Sequence, residues 1–542
     1  MMHSTQDLLT SSKTGSETIP QAPPTVTASA SDASPEEALS RRVYIETLGC
    51  QMNANDSELM MGLLNKVSFT PVSTPENADF IILNTCQIRE NAEEKAYGYL
   101  ENLKRLKRQR PWLKIAMAGC VAQQAQAQVF ERLPFVDLVI GTQNMHQLPE
   151  LAQTLFPSIE DTPEQGAFTN AAPEQPESQH LTSPRQRPRS KRDAVPKGTQ
   201  LLATDRQKTF STYDYVQDVA PLRQSQFSAW VTIIEGCDYF CTYCVVPYTR
   251  GRQISRTPES IVQEVKRLAQ EGYKEVTLLG QTVDAYGKDF KDAALRDVRL
   301  EHLFERLNAI DGLERIRFMT SHPLDLSDAI IEAIARLPKV MPYIHIPMQS
   351  GDDEVLARMK RGYTRAQYFA LVDKIQARIP DVAISGDYIV GFPGETEAQF
   401  QDTIESVYRS NVMAVNTAAY SARKQTPAAI WEARNEANTE AIEDAEKQAR
   451  LQRLNSAVTD QAMRWAQAFY GPYLKNNTPV EVLVEGPSKR NPERWTGRTP
   501  QNKVVNFESR LGAPGSNATL AGQIVPVRLT RILAWSLLGE HG

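Results

Sequence analysis

The sequence predicts an α/β protein with three folded units, and two patterns support this prediction. Short apolar runs alternate with helical stretches from Arg41 onward and again after Phe227, which is typical of parallel sheets built from strand–helix–strand units. Near the carboxyl terminus, residues 480–484 and 523–529 are strand-like with no helix between them. We therefore expect an N-terminal parallel α/β sheet domain, a central partial (β/α)6 barrel and a small C-terminal β-barrel.

Composition sets limits on the class of protein. The 542 residues are 41% hydrophobic and 23% charged, as in an average soluble protein, and no apolar run approaches the roughly 18 residues that cross a bilayer. Six cysteines and the lack of a hydrophobic leader favour a cytoplasmic location, where grouped thiols bind metal or do chemistry. The net charge of −5 means that any contact with a nucleic acid must be local.

The N-terminal part divides into a tail, a sheet domain and a linker. Residues 1–40 are rich in Ser, Thr, Pro and Ala, and we expect a disordered tail. The sheet domain is expected at residues 41–157, with an N-terminal sheet whose strands lie at residues 43–48, 80–83, 115–118 and 136–140. Residues 158–222 are rich in Pro, Gln, Ser and Thr, and we expect a disordered linker or insertion there.

Six further apolar runs predict the strands of the partial barrel. Helical spacings such as Ile261, Val265 and Leu268 separate these runs. We expect the barrel at residues 223–456, a connecting helix at 457–471 and the last β-barrel at 472–535. The six barrel strands are predicted at residues 230–234, 276–279, 316–319, 343–346, 383–390 and 414–420.

The first cysteine set is Cys50, Cys86 and Cys120, separated by 36 and 34 residues, about the length of one strand–helix–strand unit. Each follows an apolar run, and parallel strands end at one edge of a sheet, where ligands bind. We therefore expect three thiolates to converge on a metal group. Three buried cysteines acting as small hydrophobes are the alternative. Zinc would need a fourth ligand, and His146 is the only histidine of this region.

The second cysteine set, Cys237, Cys241 and Cys244, has the spacing C-x3-C-x2-C on the loop after a predicted strand. Such a loop wraps one iron–sulfur cluster and gives a thiolate to each of three irons. One iron then keeps an open position for a substrate or cofactor, as in a catalytic metal site. A zinc site would again require an unseen fourth ligand.

This spacing, with Tyr243 before the last cysteine, resembles the radical S-adenosylmethionine superfamily. The resemblance implies that the open iron chelates S-adenosylmethionine and that an electron from the cluster cleaves the sulfonium to a 5′-deoxyadenosyl radical. Tyr243, Gln349, Ser385 and Asp387 are then candidates for binding S-adenosylmethionine. For Gln349, Ser385 and Asp387, a buried structural hydrogen bond is an equally open interpretation.

The residues around the cysteines resemble the methylthiotransferase family within that superfamily. Gln51-Met52-Asn53 after the first cysteine resembles its tRNA-2-methylthio-N6-dimethylallyladenosine synthase branch. The resemblance covers about residues 41–157 and 223–535, and the segments that match the family are residues 49–53, 84–90, 119–123, 244–251, 278–281, 321–323, 345–351 and 389–396.

Residues 472–535 resemble the TRAM domain of this family, a small RNA-binding barrel. Residues 471–542 contain nine Lys and Arg against five Asp and Glu, so this region is locally basic despite the overall negative charge. Trp495 is a candidate either for stacking on a base or for packing. Gln425 departs from the family, which commonly has Gly at that position, so the turn at residues 420–427 is left open.

The resemblance implies an enzyme with two 4Fe–4S clusters and S-adenosylmethionine that acts on dimethylallyl-adenosine at position 37 of tRNA. The cluster of Cys237, Cys241 and Cys244 would make the radical, and the cluster of the first cysteine set would hold sulfur. The expected partners are the tRNA anticodon loop and a reductant of unknown identity, with no membrane, and we expect a monomer. Two alternatives stay open: the same chemistry on threonylcarbamoyl-adenosine of tRNA or a ribosomal-protein aspartate, and a non-catalytic, metal-containing RNA-binding protein.

Overall fold

The computed structural model describes residues 41–87, 92–157, 199–205, 213, 219–434, 436, 439–516 and 519–542. The predicted tail, most of the predicted 158–222 linker and the last three residues of the 84–90 segment around Cys86 lie outside the described residues. Within the described ranges, none of the helices combines the length and the apolar character that crossing a bilayer requires.

The first domain is a six-stranded parallel sheet flanked by helices. Its elements are β1 (Arg41–Thr47), α1 (Gln51–Asn65), β2 (Phe69–Pro71), β3 (Phe80–Thr85), α2 (Ala92–Gln109), β4 (Lys114–Ala118), α3 (Gly119–Ala125), α4 (Gln128–Arg132), β5 (Leu138–Ile140), α5 (Leu148–Leu155) and β6 (Leu201–Ala203). The strand order is β2-β1-β3-β4-β5-β6, and every pair is parallel. The three strands that precede the first cysteine set, β1, β3 and β4, are therefore neighbours.

Two edge strands of this sheet were not expected from the sequence. β2 and β6 have three residues each, and only one side chain of each is fully buried, so neither forms a recognisable apolar run. β6 lies inside the predicted linker and pairs with β5 through its backbone. Val219, also inside that stretch, packs on α1 against Leu59 and Leu63. The expected linker at 158–222 is therefore folded at its C-terminal end, where the structure describes it.

The central domain has the six parallel strands that the sequence predicts. Its elements are β7 (Ser228–Thr232), β8 (Ile234–Glu235), α6 (Val246–Thr249), β9 (Ile254–Ser255), α7 (Pro258–Gln270), β10 (Glu275–Leu279), α8 (Leu300–Asn308), β11 (Arg315–Phe318), α9 (Asp328–Arg336), β12 (Tyr343–His345), α10 (Asp353–Arg358), α11 (Arg365–Arg378), β13 (Ala383–Val390), α12 (Glu397–Arg409), β14 (Ala414–Ala419) and α13 (Pro427–Arg434). β7, β10 and β11 form one sheet and β12, β13 and β14 a second. A parallel bridge between Ile316 and Val340 joins the two sheets into a partial barrel.

The barrel helices begin and pack as their sequences dictate. Thr364 and Thr396 form capping boxes with Gln367 and Gln399, which satisfy free N–H groups at the starts of α11 and α12. The predicted apolar face of α7 is buried, and it packs with the inner faces of the strands in one continuous core. This packing holds the carboxyl ends of the strands, where ligands bind in barrels, at one face.

The last domain is a closed five-stranded barrel, as expected. It comprises β15 (Val480–Pro487), β16 (Trp495–Arg498), β17 (Val504–Ser509), β18 (Ile524–Ile532) and β19 (Ser536–His541), in the order β15-β16-β17-β19-β18, and it follows α14 (Asp444–Lys475). The connecting helix, expected at 457–471, is thus the middle of a 32-residue helix. Trp495 is 3% exposed and its indole N–H donates to the Gly512 carbonyl at 3.0 Å, so it packs in the barrel core.

Two buried arginines of β11 attach the last barrel to the central domain. The Arg317 guanidinium donates to the Glu275 carboxylate at 2.7 Å and to the carbonyls of Thr499 and Pro500 at 2.9 and 2.8 Å. Arg315, which is 1% exposed, donates to the Arg498 carbonyl at 2.9 Å. Because buried guanidinium groups require partners, these contacts fix the orientation of the barrel.

We expect Arg317→Met to lower the free energy of unfolding by about 3–5 kcal/mol, because the buried Glu275 carboxylate loses its cationic partner. Urea denaturation measures this change. Lys374→Met is the control, because it breaks an ion pair with Asp328 that is exposed on both sides, and we expect a loss below about 1 kcal/mol. Equal losses in the two variants would contradict a stabilising role for the buried Arg317–Glu275 ion pair.

Candidate metal and cofactor site

The first cysteine set is gathered at the carboxyl edge of the N-terminal sheet. Cys86 directly follows β3, whereas Cys120 lies two residues beyond the end of β4 and Cys50 three residues beyond the end of β1. Cys50 and Cys86 are hydrogen-bonded to each other, which lowers the pKa of Cys50, whereas burial raises the pKa of Cys120. Gly49, with φ +136°, permits this approach, since a Cβ there would lie 2.3 Å from the Cβ of Cys86. The loops converge as the sequence predicted.

Asn53 and Asn84 tie the first two cysteine loops together. The Asn53 amide donates to the Thr85 carbonyl at 2.9 Å and to Asn84 Oδ1 at 3.1 Å, and Asn84 donates to the Asn53 carbonyl at 2.8 Å. The Cys50 thiol donates to Asn53 Oδ1 at 3.2 Å. Asn53 therefore has a positioning role that the sequence analysis, which used it only for resemblance, did not assign.

A buried cation of the central domain, Arg250, lies beside the first cysteine set. Arg250 forms an ion pair with Asp56 at 2.7 Å, and both side chains are nearly inaccessible to solvent. The same guanidinium donates a hydrogen bond to Cys120 and lies within electrostatic range of Cys50. The sequence shows Arg250 only as part of the segment after Cys244, so its contact with the other cysteine set could not be predicted.

The second cysteine set lies on the loop between β8 and α6. Gly236 begins the loop with φ +73°, and a Cβ there would lie 2.1 Å from the Arg252 carbonyl oxygen. The Cys244 N–H donates to the Cys241 carbonyl at 3.0 Å, which closes a tight turn. Burial raises the pKa of Cys237 and raises that of Cys244 to about 12. Burial therefore disfavours the charged thiolate form of both groups.

The donor chemistry of both cysteine sets fits iron–sulfur ligation. Each set offers three soft sulfur ligands, which favour soft metals or clusters over Mg²⁺ or Ca²⁺. Among the described residues, no three or more His, Cys, Asp or Glu side chains are grouped closely enough to bind one metal ion. A cubane cluster spaces its cysteine ligands more widely than a single ion does.

The four candidate cofactor residues have different surroundings. Ser385 and Asp387 are bound to His345: Ser385 Oγ lies 2.8 Å from its Nδ1 and Asp387 Oδ2 lies 3.2 Å from its Nε2. Gln349 follows β12 in a left-handed conformation (φ +78°), and its buried Oε1 has no hydrogen-bond partner among the described residues. Tyr243 is half-buried and packs beside Phe392. Gln349 therefore differs from Ser385 and Asp387, whose side chains are hydrogen-bonded to His345.

Two further residues belong with Gln349, and the sequence analysis assigned them no role. In the part of the chain that the structure describes, Gln281 Oε1 and His322 Nε2 are also buried without a hydrogen-bond partner. With Gln349, they follow the carboxyl ends of three successive strands, β10, β11 and β12. His322 stacks on Tyr239 of the second cysteine loop, with ring centroids 3.7 Å apart, and burial lowers the pKa of His322 far below its usual range. These groups form a polar lining beside the second cysteine set, where barrels bind ligands.

Three family models match the chain. The uncharacterized protein family UPF0004 matches residues 42–141, the radical SAM superfamily residues 231–407 and the TRAM domain residues 474–541. The first segment contains β1 to β5 of the N-terminal sheet, the second most of the partial barrel and the third the whole closed barrel.

Relatives match over most of their length. The tRNA-2-methylthio-N(6)-dimethylallyladenosine synthase of Bacillus pumilus (strain SAFR-032) is 41% identical over 92% of this chain and 86% of its own. The enzyme of the same name from Clostridium botulinum (strain Okra / Type B1) is 41% identical over 92% of this chain and 96% of its own. This chain belongs to the tRNA-2-methylthio-N(6)-dimethylallyladenosine synthase family.

Membership of this family makes the chain a radical SAM enzyme. Among solved structures, the radical S-adenosylmethionine methyltransferase TsrM from Kitasatospora setae is 14% identical, with a TM-score of 0.49 over 73% of this chain and 78% of that chain. The family assignment rests on the sequence relatives, which match at much higher identity.

The His345–Asp387 pair predicts a pH-dependent stability. Burial opposes the charge on each group, yet their attraction raises the pKa of His345 above 6.5 and lowers that of Asp387 below 3.8. The stabilisation is complete between those values, and it is lost as His345 deprotonates at higher pH or as Asp387 is protonated at lower pH. We expect His345→Gln to reduce the free energy of unfolding more at about pH 5.5 than at about pH 8.5.

Urea denaturation at the two pH values measures this difference. His302→Gln is the control, because His302 is half exposed and replacing it breaks no buried ion pair. A loss in the His345 variant that is the same at both pH values would contradict an ion pair and indicate a neutral hydrogen bond.

Proposed function

We propose that this protein converts N6-(dimethylallyl)adenosine at position 37 of tRNA to 2-methylthio-N6-(dimethylallyl)adenosine. The observation that carries this proposal is the nearly full-length similarity to relatives named for that modified nucleoside. The two cysteine sets support it, because replacing an aryl C–H that offers neither an acidic proton nor a leaving group requires radical chemistry. The alternatives that use threonylcarbamoyl-adenosine or a ribosomal-protein aspartate have no such support among the relatives described above.

The two cysteine sets would hold two 4Fe–4S clusters. Cys237, Cys241 and Cys244 would bind the cluster that carries S-adenosylmethionine at its open iron, and the first cysteine set would bind the second cluster. When bound, these groups supply the radical that activates C2 of adenine and the sulfur that is attached there. Gln281, His322 and Gln349 line the adjoining face and would orient the cofactor or the base through their free polar atoms.

A short segment of the central domain holds the two cysteine sets in a fixed relation. Only α6 separates Cys244 from Arg250, whose guanidinium lies against the first cysteine set. The loop after β5 also bonds this segment, since Thr142 donates to the Thr249 carbonyl at 2.8 Å and Gln143 to the Arg250 carbonyl at 3.1 Å. A base placed between the sets would therefore meet both at a constant separation, as catalysis by positioning requires.

The last barrel would bind tRNA through its basic outer surface. Arg510, Arg528 and Arg531 are exposed on it, and cationic side chains select phosphates. Trp495 is buried and is unavailable for stacking on a base, whereas Trp535, between β18 and β19, is 50% exposed. We place the reaction in the cytoplasm, with tRNA as substrate and an external one-electron reductant as the second partner.

We expect Cys241→Ala to abolish both 5′-deoxyadenosine formation and thiolation, and Cys86→Ala to abolish thiolation while some cofactor cleavage persists. We expect this difference because the second cysteine set would generate the radical and the first would hold the sulfur. Each variant is the matched control for the other. Liquid chromatography of anaerobic turnover mixtures measures both products. A Cys86 variant that thiolates fully would refute the division.

We expect about eight irons in the reconstituted wild type and about four in each triple Cys→Ala variant, because each set would hold one cubane. Elemental analysis after anaerobic reconstitution measures the iron and the zinc. One or two zinc ions in place of iron would instead identify a non-catalytic, metal-containing RNA-binding protein.

We expect turnover with tRNA that carries dimethylallyl-adenosine and none with the same tRNA lacking that group. Mass spectrometry of the digested nucleosides detects the product, and tRNA with guanosine at position 37 is the control. Methylthiolation of threonylcarbamoyl-adenosine, or of a ribosomal protein, in place of this product would overturn the proposed substrate.

A further inference from the structure

Each cysteine set has one buried arginine beside it, and the two arginines differ in their counter-charge. Arg250, beside the first set, is paired with the Asp56 carboxylate at 2.7 Å. Arg361, beside the second set, donates from Nη1 to Cys241 Sγ at 3.4 Å. The groups that act most strongly on Arg361 are Cys241 and two tyrosines, and in the described ranges it forms no ion pair with a carboxylate.

The Arg361 guanidinium is held in one orientation by the loop after β12. It is 5% exposed, its Nε donates to the Tyr363 hydroxyl at 2.9 Å, and its Nη2 donates to the Pro347 carbonyl at 3.1 Å. Tyr363 in turn donates to the Met348 carbonyl at 2.9 Å. These two bonds fix the plane of the guanidinium, and an N–H of Nη1 is directed at the sulfur of Cys241.

A fixed cation at a ligand sulfur changes the energy of an iron–sulfur cluster. Hydrogen bonds to the sulfurs and nearby charge are among the factors that set the reduction potential, because the reduced cluster carries one more negative charge. Burial strengthens the effect, since the low dielectric screens the charge weakly. The guanidinium stays protonated at every pH at which the protein is folded. Asp387 lies within electrostatic range of Arg361 and offsets only part of its charge, since it is itself paired with His345.

We propose that Arg361 acts through Cys241 as a positioning residue that raises the reduction potential of the cluster held by the second cysteine set. At the first set, Asp56 cancels much of the charge of Arg250. The electron delivered by a one-electron donor is therefore stabilised at the set where S-adenosylmethionine is cleaved rather than at the set that holds sulfur. This inference rests on the proposed function, in particular on cluster ligation by Cys237, Cys241 and Cys244.

The test is a redox titration of the full-length chain in a Cys50→Ala/Cys86→Ala/Cys120→Ala background, in which only the second set can bind a cluster. Electron paramagnetic resonance at poised potentials gives the ratio of reduced to oxidised cluster. We expect Arg361→Met to lower this ratio about tenfold at a given potential, which corresponds to a shift of about 59 mV to more negative values. Arg361→Lys should give a smaller loss, because it keeps the charge but not the planar fork.

Arg365→Met is the matched control, four residues further along the chain. Arg365 pairs with Asp402 and Glu405 on the surface side of the barrel, and no hydrogen bond joins it to a cysteine among the described residues. We expect its ratio to equal that of the parent protein. If the Arg361→Met variant binds no iron–sulfur cluster, the Arg361→Lys and Tyr363→Phe variants replace it in the redox titration. Each of them keeps the positive charge at this position and weakens the hydrogen bonds that orient it.

The outcomes separate this inference from the proposed function. An unchanged ratio in Arg361 variants with about four irons would overturn the role of Arg361 and leave the proposed function intact. An unchanged ratio with weaker binding of S-adenosylmethionine would also overturn it and would assign Arg361 to the cofactor. A parent protein that binds no cluster at the second set would contradict the proposed function itself, and this inference with it.

Discussion

The buried ion pair between Arg250 and Asp56 is the interaction on which the arrangement of the site depends. The two residues are 194 positions apart and belong to different domains, and each is removed from water. Replacing either residue with an uncharged one would leave the other as an unpaired buried charge, a penalty of several kcal/mol. The pair therefore joins the sheet that presents the first cysteine set to the segment that carries the second.

The sheet and the barrel each bring three cysteines together, but in different ways. In the sheet, adjacent parallel strands bring together cysteines that are distant in sequence, and Gly49 and Asn53 allow and fix their close approach. In the barrel, one tight loop supplies three cysteines, and the neighbouring strands supply only the polar lining. The first arrangement depends on the whole domain being folded, whereas the second depends on a local turn supported by Gly236.

Local patterns in the sequence were sufficient to predict the elements whose formation depends on residues close to one another in the chain. Apolar runs predicted the six barrel strands, and the spacing of Cys50, Cys86 and Cys120 predicted their convergence. The sequence missed β6, because a three-residue edge strand is held by backbone bonds rather than by an apolar run. It could not reveal the Arg250–Asp56 pair or the bond from Arg361 to Cys241, since contacts across 194 and 120 residues leave no periodic trace. It also left Trp495 undecided between stacking and packing, because burial is set by barrel closure.

The contacts between β11 and the last barrel depend little on which side chains the barrel loop carries. Arg315 and Arg317 hold residues 498–500 chiefly by their main-chain oxygens, which every amino acid possesses. Replacing side chains in that loop leaves those acceptors in place. The side chains on the outer surface of the last barrel can therefore change without loss of these bonds to β11.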